Sequence, residues 1–75
     1  MGQLEVLEFT LSGNSPAVGR RVRDLTFPRN SSIVAILREG QSIVPRGDTT
    51  LASSDIIVAL TQASSEAELR RMLVG

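Results

Sequence analysis

The chain has 75 residues, enough for one small domain near the lower size limit for independent folding. It contains no cysteine, histidine or lysine, which excludes disulfides and thiolate zinc sites and removes the commonest general base, the best nucleophile and Schiff-base chemistry. Eight arginines balance eight carboxylates and only two residues are aromatic, so the composition argues against an enzyme and against a nucleic-acid-binding protein.

The first residues carry no targeting signal. Met1 and Gly2 resemble the start of a myristoylation motif, but Val6 stands where that motif needs serine or threonine. No signal peptide is visible, and no apolar run reaches the roughly 20 residues that a membrane span requires. We therefore expect residues 1–3 to be a linker or a cloning remnant, and residues 4–75 to form one cytoplasmic domain.

The first predicted element is a strand over residues 4–11. Leu7, Phe9 and Leu11 share one face by period-two alternation, and Leu4 and Val6 share the other. Because both faces carry apolar residues, we expect the strand to be covered on both sides for part of its length. A turn follows at residues 12–14, where serine, glycine and asparagine are adjacent.

A short amphipathic helix is predicted next. Ser15 and Pro16 give a hydroxyl cap followed by proline at the first helical position. The apolar positions of this helix, which ends near residue 25, are Val18, Val22 and Leu25. Gly19 is unfavourable in a helix interior, so it indicates either close packing or a later helix start. Arginines at positions 20, 21 and 23 are interpreted as a solvated face, with an anion site as the alternative.

Two strands and a tight turn follow. Residues 33–37 are β-branched and almost continuously apolar, which is typical of a central strand. Glu39 and Gly40 indicate a hairpin turn. A short return strand over residues 42–44 should end at Pro45, which cannot donate to a ladder.

The last third of the chain should hold a loop, a strand and a helix. Residues 46–54 are mostly polar, with Leu51 as the one apolar anchor, and residues 56–60 form a second buried strand. Ser65 and Glu68 match a capping box at the start of the final helix. The order β-α-β-β-β-α predicts an α+β fold with a small, mostly antiparallel sheet and two helices.

The loop before the last strand contains several polar residues that are candidates for a functional site. Arg46, Gly47 and Asp48 match the integrin-binding tripeptide, but we interpret them as a tight turn with positive φ at the glycine and a backbone bond from the aspartate. Asp48, Asp55 and Glu39 could form a carboxylate pair for acid–base chemistry or a calcium site, yet their spacing is not that of an EF-hand. We expect Asp55 to bond loop amides.

Arg38 ends a hydrophobic strand and has two interpretations. Its guanidinium could pair with Asp48 or Asp55 across the hairpin, or it could bind a phosphate or carboxylate of a ligand. The glycines form neither a dinucleotide fingerprint nor a P-loop. The sequence predicts no catalytic residue, no metal site and no cofactor.

Three segments together resemble one known family. The segments SPAVGRRVRDLTFP, SSIVAILREGQSIVPRGDTTL and SDIIVAL are similar to the RCK C-terminal domain, also called TrkA-C. The shared features, in order, are a Ser-Pro-x-x-Gly helix start, an Ile-Val-x-Ile-x-Arg-x-Gly strand and turn, a Pro-x-x-Asp-Thr-x-Leu loop and an aspartate that opens the last strand. The resemblance extends from about residue 4 to residue 73.

The resemblance implies a ligand-sensing, homodimeric regulatory domain of a cation system, most often a potassium channel, an uptake system or a cation/proton antiporter. The membrane transporter would be on the same chain or a partner subunit, and the ligand would be a nucleotide or an ion. The alternative is a purely structural dimerisation module of a membrane permease.

The resemblance also implies candidate ligand-binding residues. They are Thr26, Phe27, Ser32, Ile33, Arg38, Pro45 and Arg46. Some members of the family bind cyclic di-AMP through an arginine and an asparagine where this chain has Thr26 and Ser32, so the chain departs from that pattern. Ser54 stands where members of the family often have glycine, and we expect the turn there to have a different structure from theirs.

Overall fold

The computed structural model describes residues 3–75. Met1 and Gly2, which hold most of the predicted linker and the myristoylation-like start, lie outside the described residues. The chain forms strands β1 (Leu4–Thr10), β2 (Ser32–Arg38), β3 (Gln41–Ile43) and β4 (Ile56–Gln62), and then helix α1 (Glu66–Leu73). Two single 3-10 turns, Val22–Asp24 and Ala63–Ser65, complete the regular structure of this part of the chain.

The four strands form one antiparallel sheet in the order β1-β4-β2-β3. The last strand along the chain therefore lies between the first and the second. Its position explains its sequence, since a strand with neighbours on both sides is the most buried and the richest in β-branched residues. The predicted α+β class and the antiparallel sheet are confirmed.

The β2–β3 hairpin has the turn that the sequence predicts. Arg38 pairs with Gln41, and the two residues between them both have positive φ, 51° at Glu39 and 77° at Gly40. Two successive positive φ angles match the right-handed twist of the flanking strands, which is why such turns favour glycine at the second position.

One side of the sheet is covered by α1 and by the loops. Side chains from this inner side form a core of ten buried apolar residues, with Ile36, Ile57 and Ala59 at its centre and Leu69 and Leu73 contributed by α1. The loop residue Leu51 is 1% exposed, as expected of the loop's single apolar anchor. Burial of these side chains is the main source of stability in so small a domain.

The predicted first helix does not form, so the structure has one α-helix where the sequence predicts two. Ser15 accepts a hydrogen bond from the Ser12 amide at 2.9 Å and does not cap a helix. Gly19 has φ 86°, which ends any helical turn. The backbone beyond it bonds instead to the loop at residues 47–51 of the same chain. These long-range hydrogen bonds satisfy the amides that a helix would otherwise pair.

The final helix forms where predicted, but without the capping box. Ser65 is its N-cap residue and makes no side-chain capping bond. The serine hydroxyl donates to the Arg29 carbonyl at 2.8 Å, which ties the helix start to the loop before β2. Arg70 and Glu66 form an ion pair one helical turn apart, at 3.5 Å.

The loop after β3 is a tight turn with a different chemistry from the one predicted. The Thr49 amide donates to the Arg46 carbonyl at 3.1 Å, and the Arg46 amide donates to the Thr49 hydroxyl at 2.9 Å. Gly47 does not adopt a positive φ. Threonine, and not Asp48, supplies the side chain that closes the turn, so that part of the prediction was wrong.

Candidate functional site

The side of the sheet opposite α1 is an uncovered apolar surface, here called the outer face. Its residues alternate with those that enter the core. On β1, Phe9 is 2% exposed on the inner side, whereas Leu4 and Val6 on the outer side are 57% and 65% exposed. The expectation that β1 is covered on both sides is not met within residues 3–75, where the outer side of the strand is exposed.

Strand pairing extends the outer face across the sheet. Val6 pairs with Leu60, and Ala35 pairs with Val58. Leu37 pairs with Ile56. Because paired residues of neighbouring strands point to the same side of a sheet, these side chains form continuous apolar rows.

A β-bulge adds one more apolar side chain to this surface. The register shifts between Ile33 and Ala35, so that Val34 is an extra residue in β2. Ile33 points into the core, and the shift lets both Val34 and Ala35 face outward. Val44 follows Ile43, which packs against the core, so alternation places Val44 on the outer side as well.

Polar side chains lie around this surface and apolar ones lie at its centre. The polar residues on the outer side are Glu8, Thr10, Ser32, Ser42 and Gln62. They occupy strand ends or the two edge strands, whereas the middle of β4 presents Val58 and Leu60. An apolar centre with a polar margin is the usual anatomy of a protein–protein interface.

The exposed apolar residues of residues 3–75 are concentrated on this one surface. The large hydrophobic side chains with high exposure are Leu4, Val6, Val34 and Val44, the last being 78% exposed. All four belong to the outer face. Single exposed hydrophobics are ordinary, but a contiguous patch indicates a binding surface.

The loop end of the sheet is fixed by an ion pair between Arg38 and Asp55. Arg38 Nε donates to Asp55 Oδ1 at 2.8 Å, and Nη2 donates to Oδ2 at 2.7 Å. Nη2 also donates to the Thr50 carbonyl at 2.9 Å, and the Ala52 amide donates to Asp55 Oδ2 at 2.9 Å. Of the two interpretations of Arg38, the structure contains the ion pair.

The pair shifts the protonation equilibria of both side chains. The hydrogen bonds from Arg38 lower the pKa of the Asp55 carboxyl, against the opposing effect of burial. The hydrogen bond to Asp55 raises the pKa of Arg38. Since Asp55 is 1% exposed and already accepts three N–H bonds, it acts as a structural anchor and is not available as an acid or base.

The predicted ligand-binding residues do not form one cluster. Ser32 begins β2 and Arg38 ends it, a separation of about 20 Å at the usual rise per residue. Thr26 and Ser32 are exposed near the first end, whereas Ile33 is buried in the core and Phe27 packs against it. Pro45 and the exposed Arg46 lie in the loop that follows β3.

Two other features bear on possible chemistry. No group of three or more metal-binding side chains is found within residues 3–75, and in the same region no helix is long and apolar enough to cross a membrane. A shallow cleft on α1 is lined by Ala63, Glu66, Ala67, Arg70 and Arg71. The Glu66–Arg70 pair occupies this cleft, and none of the predicted candidate residues lines it.

The polar and potentially catalytic residues of the sequence do not indicate the outer face. The second set of apolar residues on the first strand does, but one strand alone does not reveal whether another element covers it. The pairing of β1 with β4, which joins residues more than 45 positions apart, is what turns isolated apolar residues into a surface.

Comparison with known proteins identifies relatives along nearly the whole chain. Residues 6–74 match the model of the TrkA-C domain family. The Trk system potassium uptake protein TrkA of Mycobacterium tuberculosis is 38% identical over 73 residues, which are 97% of this chain and 33% of that protein. The K(+)/H(+) antiporter NhaP of Alkalimonas amylolytica is 24% identical over 72 residues, 96% of this chain and 12% of that protein.

A solved structure described as an RCK domain with cda shares the fold. It has a TM-score of 0.76 and 28% sequence identity, and the match covers 91% of this chain and 96% of that chain. The present chain spans a third or less of the length of the curated relatives cited above.

Proposed function

The chain belongs to the TrkA-C domain family, and from that premise we propose that it is a ligand-sensing, dimerising regulatory domain of a potassium transport system. We propose that residues 4–75 form the whole of this domain and that it works on the cytoplasmic side of the membrane. Relatives named as potassium uptake proteins and as a K(+)/H(+) antiporter support the link to cation transport. The observation that carries the proposal is the uncovered outer face.

The occupant that we propose for the outer face is a second copy of the chain. Among the strand residues that the structure describes, Glu8 is the one ionisable side chain on this surface, and it lies on edge strand β1. The apolar centre therefore has no charge pattern that would select a different protein. A self-complementary apolar patch is suited to two-fold pairing, in which the same residues meet from both sides. Two such sheets can pack about 10 Å apart, as in a β-sandwich.

The mechanism that we propose is a shift between dimer arrangements. A ligand that binds one arrangement more tightly than another increases its population by the difference in affinity. Because the outer face is formed by strands from both ends of the chain, a change in how two sheets meet would alter the relative position of whatever is attached to each copy. The domain would thus act by binding and not by catalysis.

The proposal is tested in the native protein by potassium transport. Val6→Lys, introduced at the chromosomal locus, places a charge in the outer face while leaving the core untouched. We expect the rate of rubidium uptake in the Val6→Lys strain to match that of a strain lacking the regulator and to differ from that of the wild type. Ala67→Lys, an exposed substitution on α1, is the matched control. Uptake that is the same in wild type, the Val6 variant and the deletion would contradict a regulatory role.

Ligand sensing is tested separately on the isolated domain by thermal unfolding with a panel of nucleotides and monovalent cations. A ligand at 100 times its Kd should add about 2.7 kcal/mol to the free energy of unfolding. No shift with any member of the panel would instead favour the alternative, a structural dimerisation module without a ligand.

A further inference from the structure

A two-stranded ribbon beside the sheet carries half of the chain's arginines. Residues 19–23 run alongside residues 46–51, to which the Arg21–Thr50 bridge joins them. The Leu51 amide donates to the Arg20 carbonyl at 2.9 Å, and the Arg23 amide donates to the Gly47 carbonyl at 2.9 Å. These bonds hold the two segments, here called the ribbon, in a fixed arrangement.

The arginines of the ribbon lie on two adjacent segments and, among the described residues, mostly lack a carboxylate partner. They are Arg20, Arg21, Arg23 and Arg46, all exposed. A Cβ on Gly47 would lie 3.6 Å from the Cβ of Arg23, so Arg23 lies directly against the turn that carries Arg46. Within residues 3–75, Arg21 is the only one of the four with a carboxylate within 4.0 Å, Asp24 at 3.0 Å.

The ribbon is therefore a local concentration of positive charge in a neutral chain. Its four arginines face two aspartates, Asp24 and Asp48, which leaves two net positive charges in a molecule whose total charge is zero. Since opposite charges attract, this excess of positive charge favours the approach of an anion. The fixed backbone means that an arriving anion would not have to order the loop.

Two of the guanidinium groups are anchored but retain free donors. Arg20 donates from Nη2 to the Asp24 carbonyl at 3.1 Å, and Arg23 donates from Nε to the Gly47 carbonyl at 3.4 Å. Each anchor uses one of the five N–H donors of a guanidinium. The remaining donors belong to exposed side chains that these bonds hold partly in place, which lowers the entropy cost of binding a multidentate anion.

We infer that the ribbon binds the phosphate oxygens of a ligand with at least two negative charges. Arginine forks match phosphate geometry in pairs, and two net charges favour a diphosphate group over a single carboxylate. A nucleic acid is a poor fit because the two aromatic residues, Phe9 and Phe27, are not exposed as stacking platforms. The inference rests on the ligand-sensing part of the proposed function and names the class of ligand.

The same phosphate chemistry has two sources, a soluble diphosphate and a lipid headgroup, and the experiment separates them. Inorganic pyrophosphate is titrated into the domain and followed by amide chemical shifts. Vesicles of phosphatidylglycerol and phosphatidylcholine are tested by co-sedimentation in parallel. The variant is Arg23→Gln with Arg46→Gln. The control is Arg29→Gln with Arg71→Gln, which removes the same charge from exposed arginines outside the ribbon.

We expect saturable binding of at least one probe, with shifts concentrated in residues 19–23 and 46–51. Loss of two charge-assisted contacts should weaken binding by at least about tenfold in the ribbon variant, and the control should retain nearly full affinity. Binding to pyrophosphate identifies a soluble ligand, and binding to vesicles alone identifies lipid headgroups.

Equal weakening in both variants, or no binding of either probe, would overturn the inference. The oligomeric state of the ribbon variant is measured in the same samples. A dimer that persists while phosphate binding is absent would sink this inference and leave the dimer part of the proposed function standing.

Discussion

Arg38 and Asp55 are bound through two parallel hydrogen bonds of 2.8 and 2.7 Å, although they lie 17 positions apart in the chain. Arg38 is the last residue of β2 and Asp55 immediately precedes β4, so the pair joins the ends of two adjacent strands. The Asp55 carbonyl also accepts from the Leu11 amide at 2.9 Å, just beyond β1. Three strands and the long loop thus meet at one buried residue, through its carboxylate and its backbone carbonyl.

Asp55→Asn should destabilise the domain by about 2–3 kcal/mol, because a neutral amide cannot form the paired charged contact and leaves Arg38 without its counter-ion. The loss stays below that of a fully buried pair since Arg38 is 32% exposed and can reach water. Urea unfolding measures the effect. Asp48→Asn, in the same loop but exposed, should change stability by less than about 0.5 kcal/mol; equal effects of the two would contradict an anchoring role for Asp55.

The same pair predicts a dependence of stability on acid. The pKa of Asp55 is lowered from its ordinary value of 3.8, so its contribution is complete above that value and is lost as the pH falls through the lowered pKa. The difference in unfolding free energy between wild type and Asp55→Asn should be constant above about pH 5 and should shrink below the ordinary pKa. A difference that stays constant down to the acid-unfolded state would show that the charge of Asp55 does not stabilise the fold.

Ser54→Gly should stabilise the domain. Ser54 has φ 74°, in the left-handed region that glycine occupies without strain. The expectation that serine changes this turn was therefore wrong, because Ser54 adopts a glycine-like backbone conformation despite its strain. Its removal, less the extra chain entropy of glycine, should raise the free energy of unfolding by about 0.5 kcal/mol. The matched change Ser53→Gly, at a residue without positive φ, should not stabilise; a gain at both positions would argue against relief of strain.

Local chemistry determined which parts of this fold were predictable. Period-two alternation predicted β1, apolar runs rich in β-branched residues predicted β2 and β4, and the Glu39–Gly40 turn followed from its residue types. The first helix failed because Val18, Val22 and Leu25 have helical spacing, yet the amides around them bond to a loop about 30 residues further along the chain. Such long-range competition leaves no trace in a local pattern.

The candidate functional site was likewise predictable only where local sequence patterns determine it. The sequence left open whether Arg38 pairs with Asp48 or Asp55 or binds a ligand, and it predicted that Asp55 bonds loop amides, as it does with the Ala52 amide. It did not indicate that the arginines at positions 20, 21, 23 and 46 share a ribbon. This placement depends on hydrogen bonds between segments far apart in the chain, which one sequence does not reveal.

Sedimentation equilibrium of the domain, for wild type and Val6→Lys, tests most directly whether the outer face binds a second copy. The account predicts a wild-type mass of twice the 8.1 kDa chain, a Val6→Lys variant that sediments as a single folded chain, and an Ala67→Lys control that remains dimeric. Well-folded wild-type protein that stays at 8.1 kDa up to high micromolar concentration would contradict it.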